Sequence, residues 1–119
     1  MITREQVEEL FEHTRELRRN GETDWDIDGL CLWSYFFVDA SEAKLLRAGE
    51  SLKKQGYLMA GLFAPDPDDD QKTLRLQVDR IETHTVDSLV ARNDELYAMA
   101  RQYKLENYDG MECGAVEEP

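Results

Sequence analysis

The chain has little cysteine and little positive charge, and it has no long apolar run. Its two cysteines, Cys31 and Cys113, do not lie in a zinc-binding spacing, so we expect reduced thiols. A disulfide between them remains an alternative if their strands are neighbours. Lys and Arg total 14 against 26 Asp and Glu, and the resulting net charge of -12 argues against direct binding to nucleic acid. The lack of about 20 consecutive apolar residues argues against a membrane span.

What is present indicates a folded chain. With 119 residues, of which 41% are hydrophobic, the sequence can form one core and is too apolar for a disordered acidic tail. We therefore expect a single domain over residues 1–119. The opening residues show no basic region followed by an apolar run, which predicts a cytoplasmic protein without a secretory signal.

Periodicity and capping signals predict the order of the elements. A helix spans residues 3–20, with Thr3 and Gln6 as its capping box. After an aromatic strand at 30–38, Asp39 and Glu42 are the predicted cap of a second helix. The remaining segments are a strand at 57–64 in which Gly61 allows a close approach, a polar loop at 65–71, an alternating strand at 74–79, a helix from Thr85 to about 105, and a strand at 108–116.

This order predicts an α+β fold. The segment 30–116 reads as a βαββαβ core, the split βαβ or ferredoxin-like sandwich, with a four-stranded sheet and two helices on one face. We expect the first and third strands to be central and parallel. The aromatic strand leaves open whether Trp33, Tyr35 and Phe37 face the helices or the open side of the sheet. The extra N-terminal helix lies either on a flank or over that open side.

Two acidic clusters are the candidate binding residues. The polar loop carries Asp66, Asp68, Asp69 and Asp70, and a second group precedes the aromatic strand at Asp24, Asp26 and Asp28. The second group matches the first half of a calcium loop, but Tyr35 stands where the bidentate glutamate is required, so we expect no metal. Clustered carboxylates suit a basic protein partner.

The sequence contains no recognisable catalytic motif. His13 is expected on a helix surface and His84 at a helix entry, and neither has a nucleophile in a recognisable motif. No glycine-rich phosphate loop is present. We therefore expect a protein that is not an enzyme and has no cofactor.

Several short motifs resemble one known family. The segment 102–110 follows the last predicted helix and ends in tyrosine-aspartate-glycine. A turn over 21–29 precedes the aromatic strand, and the second helix ends in a lysine-x-glycine-tyrosine motif at 54–57. In this order they resemble the bacterial regulator of ribonuclease E activity B, or ribonuclease E inhibitor. The resemblance implies a ferredoxin-like sandwich and an inhibitor that binds the scaffold region of the endoribonuclease. It adds Tyr108 and Asp109 to the candidate contacts.

The sequence thus predicts an acidic protein that binds and modulates a ribonuclease through a basic region of that partner. Two alternatives stay open at this level. Small acidic domains also serve as immunity proteins that neutralise a nuclease toxin, and ferredoxin-like domains also serve as sensors of small ligands. The sequence does not decide between a monomer and a dimer.

Overall fold

A computed structural model of the protein describes residues 1–65, 67–68, 70 and 72–116. The elements are α1 (Arg4–Arg19), β1 (Cys31–Asp39), α2 (Glu42–Lys54), β2 (Leu58–Phe63), β3 (Leu74–Glu82), α3 (Val86–Gln102) and β4 (Asn107–Gly114). The strands form a single sheet in the order β2-β3-β1-β4, which is the ferredoxin-like arrangement with α1 as the extra helix. Within the described residues, no helix combines the length and the apolar character needed to cross a membrane.

The strand pairings are all antiparallel. Strand β1 lies between β3 and β4, and β2 pairs with the outer side of β3. The central position of β1 and β3 is confirmed, but the expectation that they run parallel is wrong. In a split βαβ fold each unit leaves room for a strand of the other unit between its two strands, so neighbouring strands run in opposite directions.

The register of β1 decides which face of the sheet is covered. Trp33, Tyr35 and Phe37 are fully buried on the helix side. The Phe11 ring of α1 stacks on Trp33 with 6.3 Å between centroids, which places α1 on the helix side. There α1 packs beside α3, and the Ile2 amide, just before α1, donates a hydrogen bond to the Tyr97 hydroxyl of α3. In the described part of the chain, no helix covers the opposite face of the sheet.

The helix starts confirm two predicted caps and correct a third. Thr3 and Thr85 each accept a hydrogen bond from the backbone three residues on, as capping residues do. At α2 the cap is Ser41, whose hydroxyl accepts from the Lys44 amide. Asp39 is not the cap because β1 continues through it and the helix begins only after Ser41.

Asp39 instead joins three elements at the end of β1. Its buried carboxylate accepts hydrogen bonds from the backbone amides of Ser41 at 2.7 Å and Glu106 at 2.9 Å, and Lys44 Nζ lies 3.2 Å away. Burial works to raise the pKa of Asp39, but these amides and Lys44 outweigh it and hold the pKa below its usual value. The carboxylate therefore fixes the entries of α2 and β4 relative to β1.

The two cysteines are both free thiols. They lie on neighbouring strands, because Trp33, two residues beyond Cys31, pairs directly with Cys113. Burial raises the pKa of Cys113 to about 12, so this thiol is protonated at neutral pH.

Asp39→Asn is expected to lower the free energy of unfolding by about 1–3 kcal/mol, because an amide cannot accept both backbone hydrogen bonds with its two terminal atoms. Urea unfolding at neutral pH measures the change. Asp94→Asn, which removes an exposed carboxylate from α3, is the control and is expected to change stability little. Equal stability of the two variants would contradict the role of Asp39.

Candidate partner-binding surface

The open face of the sheet is the candidate binding surface. Its side chains alternate with those that pack under the helices, as the strand registers require. They form a mixed surface of apolar, acidic and amide groups with one arginine. The face carries Leu58, Gly61 and Phe63 from β2, Arg75, Gln77, Asp79 and Ile81 from β3, Leu32, Ser34, Phe36 and Val38 from β1, and Glu112 from β4.

One end of this face forms a shallow concavity of about 510 Å³. Phe36 of β1 lines it, together with Phe63 and Pro65 on the β2 side and Asp109 and Glu112 on the β4 side. Arg75 is the single cationic residue in this described lining. The concavity therefore combines aromatic surface with an excess of carboxylates.

Arg75 shows what chemistry this surface accepts. Its guanidinium carbon lies 4.0 Å from the centroid of the Phe36 ring, which is the geometry of a cation–π contact. Its Nη2 atom is 3.8 Å from Asp109 Oδ2, a longer separation than a charge-assisted hydrogen bond. The stacked guanidinium accounts for the burial of Phe36 on a face that no described helix covers. A protein cation thus already occupies part of the concavity.

Phe63 offers a second aromatic surface, and 48% of this residue is exposed. Its ring lies over Gly61, where an added Cβ would be only 2.9 Å from the ring Cζ atom. The prediction that Gly61 permits a close approach is confirmed, and the approaching group is this ring. The glycine therefore lets the far end of the Phe63 ring approach the backbone of its own strand at the sheet edge.

The acidic loop predicted from the sequence connects β2 to β3 and begins beside the concavity. Asp68 and Asp70 are exposed there, whereas Asp66 and Asp69 fall outside the described residues. Pro65 belongs both to the start of this loop and to the lining of the concavity. The loop thus adds negative charge next to Phe63.

The second acidic cluster lies at the other end of β1. Asp28 accepts two hydrogen bonds from the Arg15 guanidinium, at 2.9 and 2.7 Å, and Asp26 lies 3.4 Å from Arg18. The hydrogen bonds from Arg15 lower the pKa of Asp28. Asp24 is exposed. Most of this cluster is therefore paired with α1, about 27 Å along β1 from the hairpin loop.

Tyr108 and Asp109, the contacts added by the resemblance, have different surroundings. Tyr108 is 1% exposed, and its hydroxyl donates a 2.8 Å hydrogen bond to Asn93 Oδ1. Asp109 is exposed beside Arg75 and occupies a bulge in β4, next to Gly110 with φ of 114°. The structure thus presents Asp109 to solvent and uses Tyr108 inside the core.

A family model described as regulator of ribonuclease activity B matches residues 5–113. The chain belongs to this family. Its members regulate ribonuclease activity and are not themselves the catalysts, and the match runs from the first turn of α1 into the last strand. Comparison with curated proteins finds no match.

This member of the family also contains a buried ionic cluster between the sheet and α3. The Glu82 carboxylate accepts hydrogen bonds from the Tyr35 hydroxyl at 2.5 Å and from Arg92 at 2.7 Å. The Oε2 atom that accepts from Tyr35 also lies 2.8 Å from His84 Nε2. His84 Nδ1 meets the Ser88 hydroxyl at 2.9 Å. Glu82 therefore joins β1, β3 and the start of α3.

One further cation completes the surroundings of this cluster, because Arg80 Nε lies 3.4 Å from Glu82 Oε1. The guanidinium carbons of Arg80 and Arg92 lie 5.0 and 5.7 Å from the Tyr57 ring centroid. Burial works to raise the pKa of Glu82, but hydrogen bonds from His84, Tyr35 and Arg92 lower it to about 2.

The sequence analysis missed this cluster, although a signal for it exists. The alternation that places Leu76 and Val78 under the helices continues to Arg80 and Glu82, so these charges also had to face the covered side. A buried carboxylate at that position requires donors. His84 and Arg92 are the polar residues that follow within one loop and two helical turns.

Glu82→Gln is expected to lower the free energy of unfolding by about 2–3 kcal/mol at neutral pH. Because the pKa of Glu82 is about 2 in the folded chain and about 4.3 when unfolded, its stabilisation is complete above the unfolded value and is lost as the pH falls towards 2. The difference between variant and original chain therefore shrinks over that interval.

Urea unfolding at a series of pH values measures this difference. Glu95→Gln is the matched control, because it removes the more exposed partner of the same Arg92 guanidinium. We expect Glu95→Gln to have a small effect at every pH. A Glu82→Gln deficit that does not change with pH would contradict the assignment.

Proposed function

We propose that this chain binds a basic segment of an endoribonuclease of the ribonuclease E type, in the scaffold region of that enzyme, and inhibits or modulates RNA cleavage. The chain itself acts as a binding protein in the bacterial cytoplasm and not as an enzyme. Membership in a family of ribonuclease regulators supports the class of partner. The net charge of -12 supports the basic character of the segment that is bound.

The observation that carries the proposal is the acidic and aromatic open face. Asp109 and Glu112 line a concavity whose described lining contains one cation, and the acidic hairpin loop begins beside it at Pro65. Aromatic surface beside carboxylates is a suitable site for arginine side chains. The opposite cluster at Asp24, Asp26 and Asp28 contributes to the long-range field, although two of its three carboxylates are paired with α1.

The buried cluster supports a role without catalysis. Glu82 and His84 are the acid and imidazole pair that could exchange protons, yet His84 is only 4% exposed. The carboxylate is held by Tyr35, Arg92 and His84 at once. These contacts occupy both groups of this pair and are typical of a group that fixes α3 on the sheet.

Salt dependence of binding tests the proposal. The full chain is expected to bind the ribonuclease E scaffold region with an association rate constant that falls at least about tenfold between about 50 and 500 mM NaCl. Asp68→Asn combined with Asp70→Asn is expected to reduce the low-salt rate constant about two- to fivefold, because the hairpin loop steers the encounter. Surface plasmon resonance measures both effects, and an RNA cleavage assay measures inhibition.

Glu50→Gln combined with Asp94→Asn is the matched control. It removes the same charge from exposed positions on α2 and α3, on the covered side of the molecule. A smaller effect than that of the loop variant is expected. Binding that is insensitive to salt, or binding that leaves RNA cleavage unchanged, would argue against the proposed function.

A further inference from the structure

We infer that the open face binds an extended segment with two basic side chains four positions apart, one stacked on Phe63 and the other held by Asp109 and Glu112. This inference rests on the proposed function and specifies the segment that the ribonuclease presents. It is carried by the separation of the two sites across the sheet.

The strand order fixes that separation. Phe63 lies on β2 at one edge of the sheet, and Asp109 and Glu112 lie on β4 at the other edge. Along the strands, Phe63 is level with Val38 of β1, the Asp109 bulge lies between the levels of Phe36 and Phe37, and Glu112 is level with Ser34. Three interstrand steps of about 4.8 Å and an offset of about 5 Å along the strands put Asp109 about 15 Å from Phe63, which an extended peptide spans in about four residues. Side chains four positions apart in an extended peptide point to the same side. A spacing of four therefore delivers both basic groups to the face, whereas adjacent basic residues deliver one.

The chemistry of the two sites suits arginine or lysine. The Phe63 ring is half exposed and lies beside the acidic hairpin loop, so a cation above it gains both cation–π and charge attraction. At the other edge, Asp109 is exposed and its ion pair with Arg75 is 3.8 Å long, so an incoming donor can hydrogen-bond more closely to this carboxylate than Arg75 does. Glu112 is exposed and lines the same concavity, so two carboxylates there offset the like charge of Arg75.

Arg75 adds a restriction at the centre of the segment. The residue midway between the two basic positions points at β3 and β1, where the Arg75 guanidinium covers Phe36. A cation at that midpoint meets a like charge. The face therefore favours a five-residue segment whose first and last residues are basic and whose third residue is not basic. A continuous run of basic residues is disfavoured.

Peptide titrations of the full chain test this pattern. Two synthetic peptides of identical composition contain either Arg-Ser-Ala-Ser-Arg or Arg-Arg-Ser-Ala-Ser, so they differ only in arginine spacing. The spaced peptide is expected to bind about three- to tenfold more tightly, with shifts of the amide resonances of Phe63, Asp109 and Glu112 in nuclear magnetic resonance spectra. Replacing its central alanine by arginine is expected to give no gain in affinity despite the added charge.

Variants of the chain locate the effect. Phe63→Leu and Glu112→Gln are each expected to reduce the advantage of the spaced peptide, and thermal unfolding confirms that each variant is folded. Glu50→Gln, on the covered side, is the control and is expected to weaken both peptides equally.

Equal affinities of the two peptides would overturn the inference while leaving salt-sensitive binding to the ribonuclease in place. An advantage of the spaced peptide that persists in both site variants would also overturn it. Loss of salt-sensitive binding to the ribonuclease, with the peptide preference retained, would refute the proposed function and not the peptide site.

Discussion

The structure depends on the burial of alternate β1 residues beneath the three helices. Trp33, Tyr35 and Phe37 fill the covered side completely, so a slip of one residue would expose all three and is strongly disfavoured. The same register forces Phe36 to the open face, where Arg75 covers it. The packing that stabilises the fold therefore also determines the composition of the candidate binding surface.

The acidic residues of this chain divide into two kinds. Asp39 is buried and Glu82 partly buried, and both are satisfied by backbone amides or cations, whereas Asp28 is paired with Arg15. These groups hold secondary-structure elements together, and their depressed pKa values keep them ionised at neutral pH. Their charges contribute to the field that attracts a basic chain from a distance, but their contacts are already taken. Under the proposed function, short-range recognition is assigned to carboxylates such as Asp109 and Glu112.

Much of the fold could be predicted because its signals are local. The Thr3 and Thr85 caps, the alternation of β3 and the close approach at Gly61 each depend on residues near one another in the chain. The missed features depend on distant partners. Arg15 lies in α1, so the residues next to Asp28 in the sequence do not indicate that the two side chains pair.

The candidate site was predictable only in part for the same reason. Carboxylates could be located from the sequence, and Asp109 was named through the family resemblance. Its neighbours could not be identified, because Arg75 and Asp109 meet only when β3 and β4 flank β1. The Glu82 cluster, although signalled by strand periodicity, likewise needed the position of α3 to reveal Arg92 as its donor.

The geometry of the sheet edges favours recognition on the face over recognition by strand addition. An exposed edge can pair with an incoming strand through its unpaired backbone groups. Here both edge strands are irregular, because the register of β2 against β3 shifts between Met59 and Gly61 and that of β4 against β1 shifts at Asp109. Bulges twist an edge and interrupt its hydrogen-bonding row, which discourages extension of the sheet. The face, with its aromatic rings and carboxylates, remains the surface where side-chain chemistry can discriminate among basic segments.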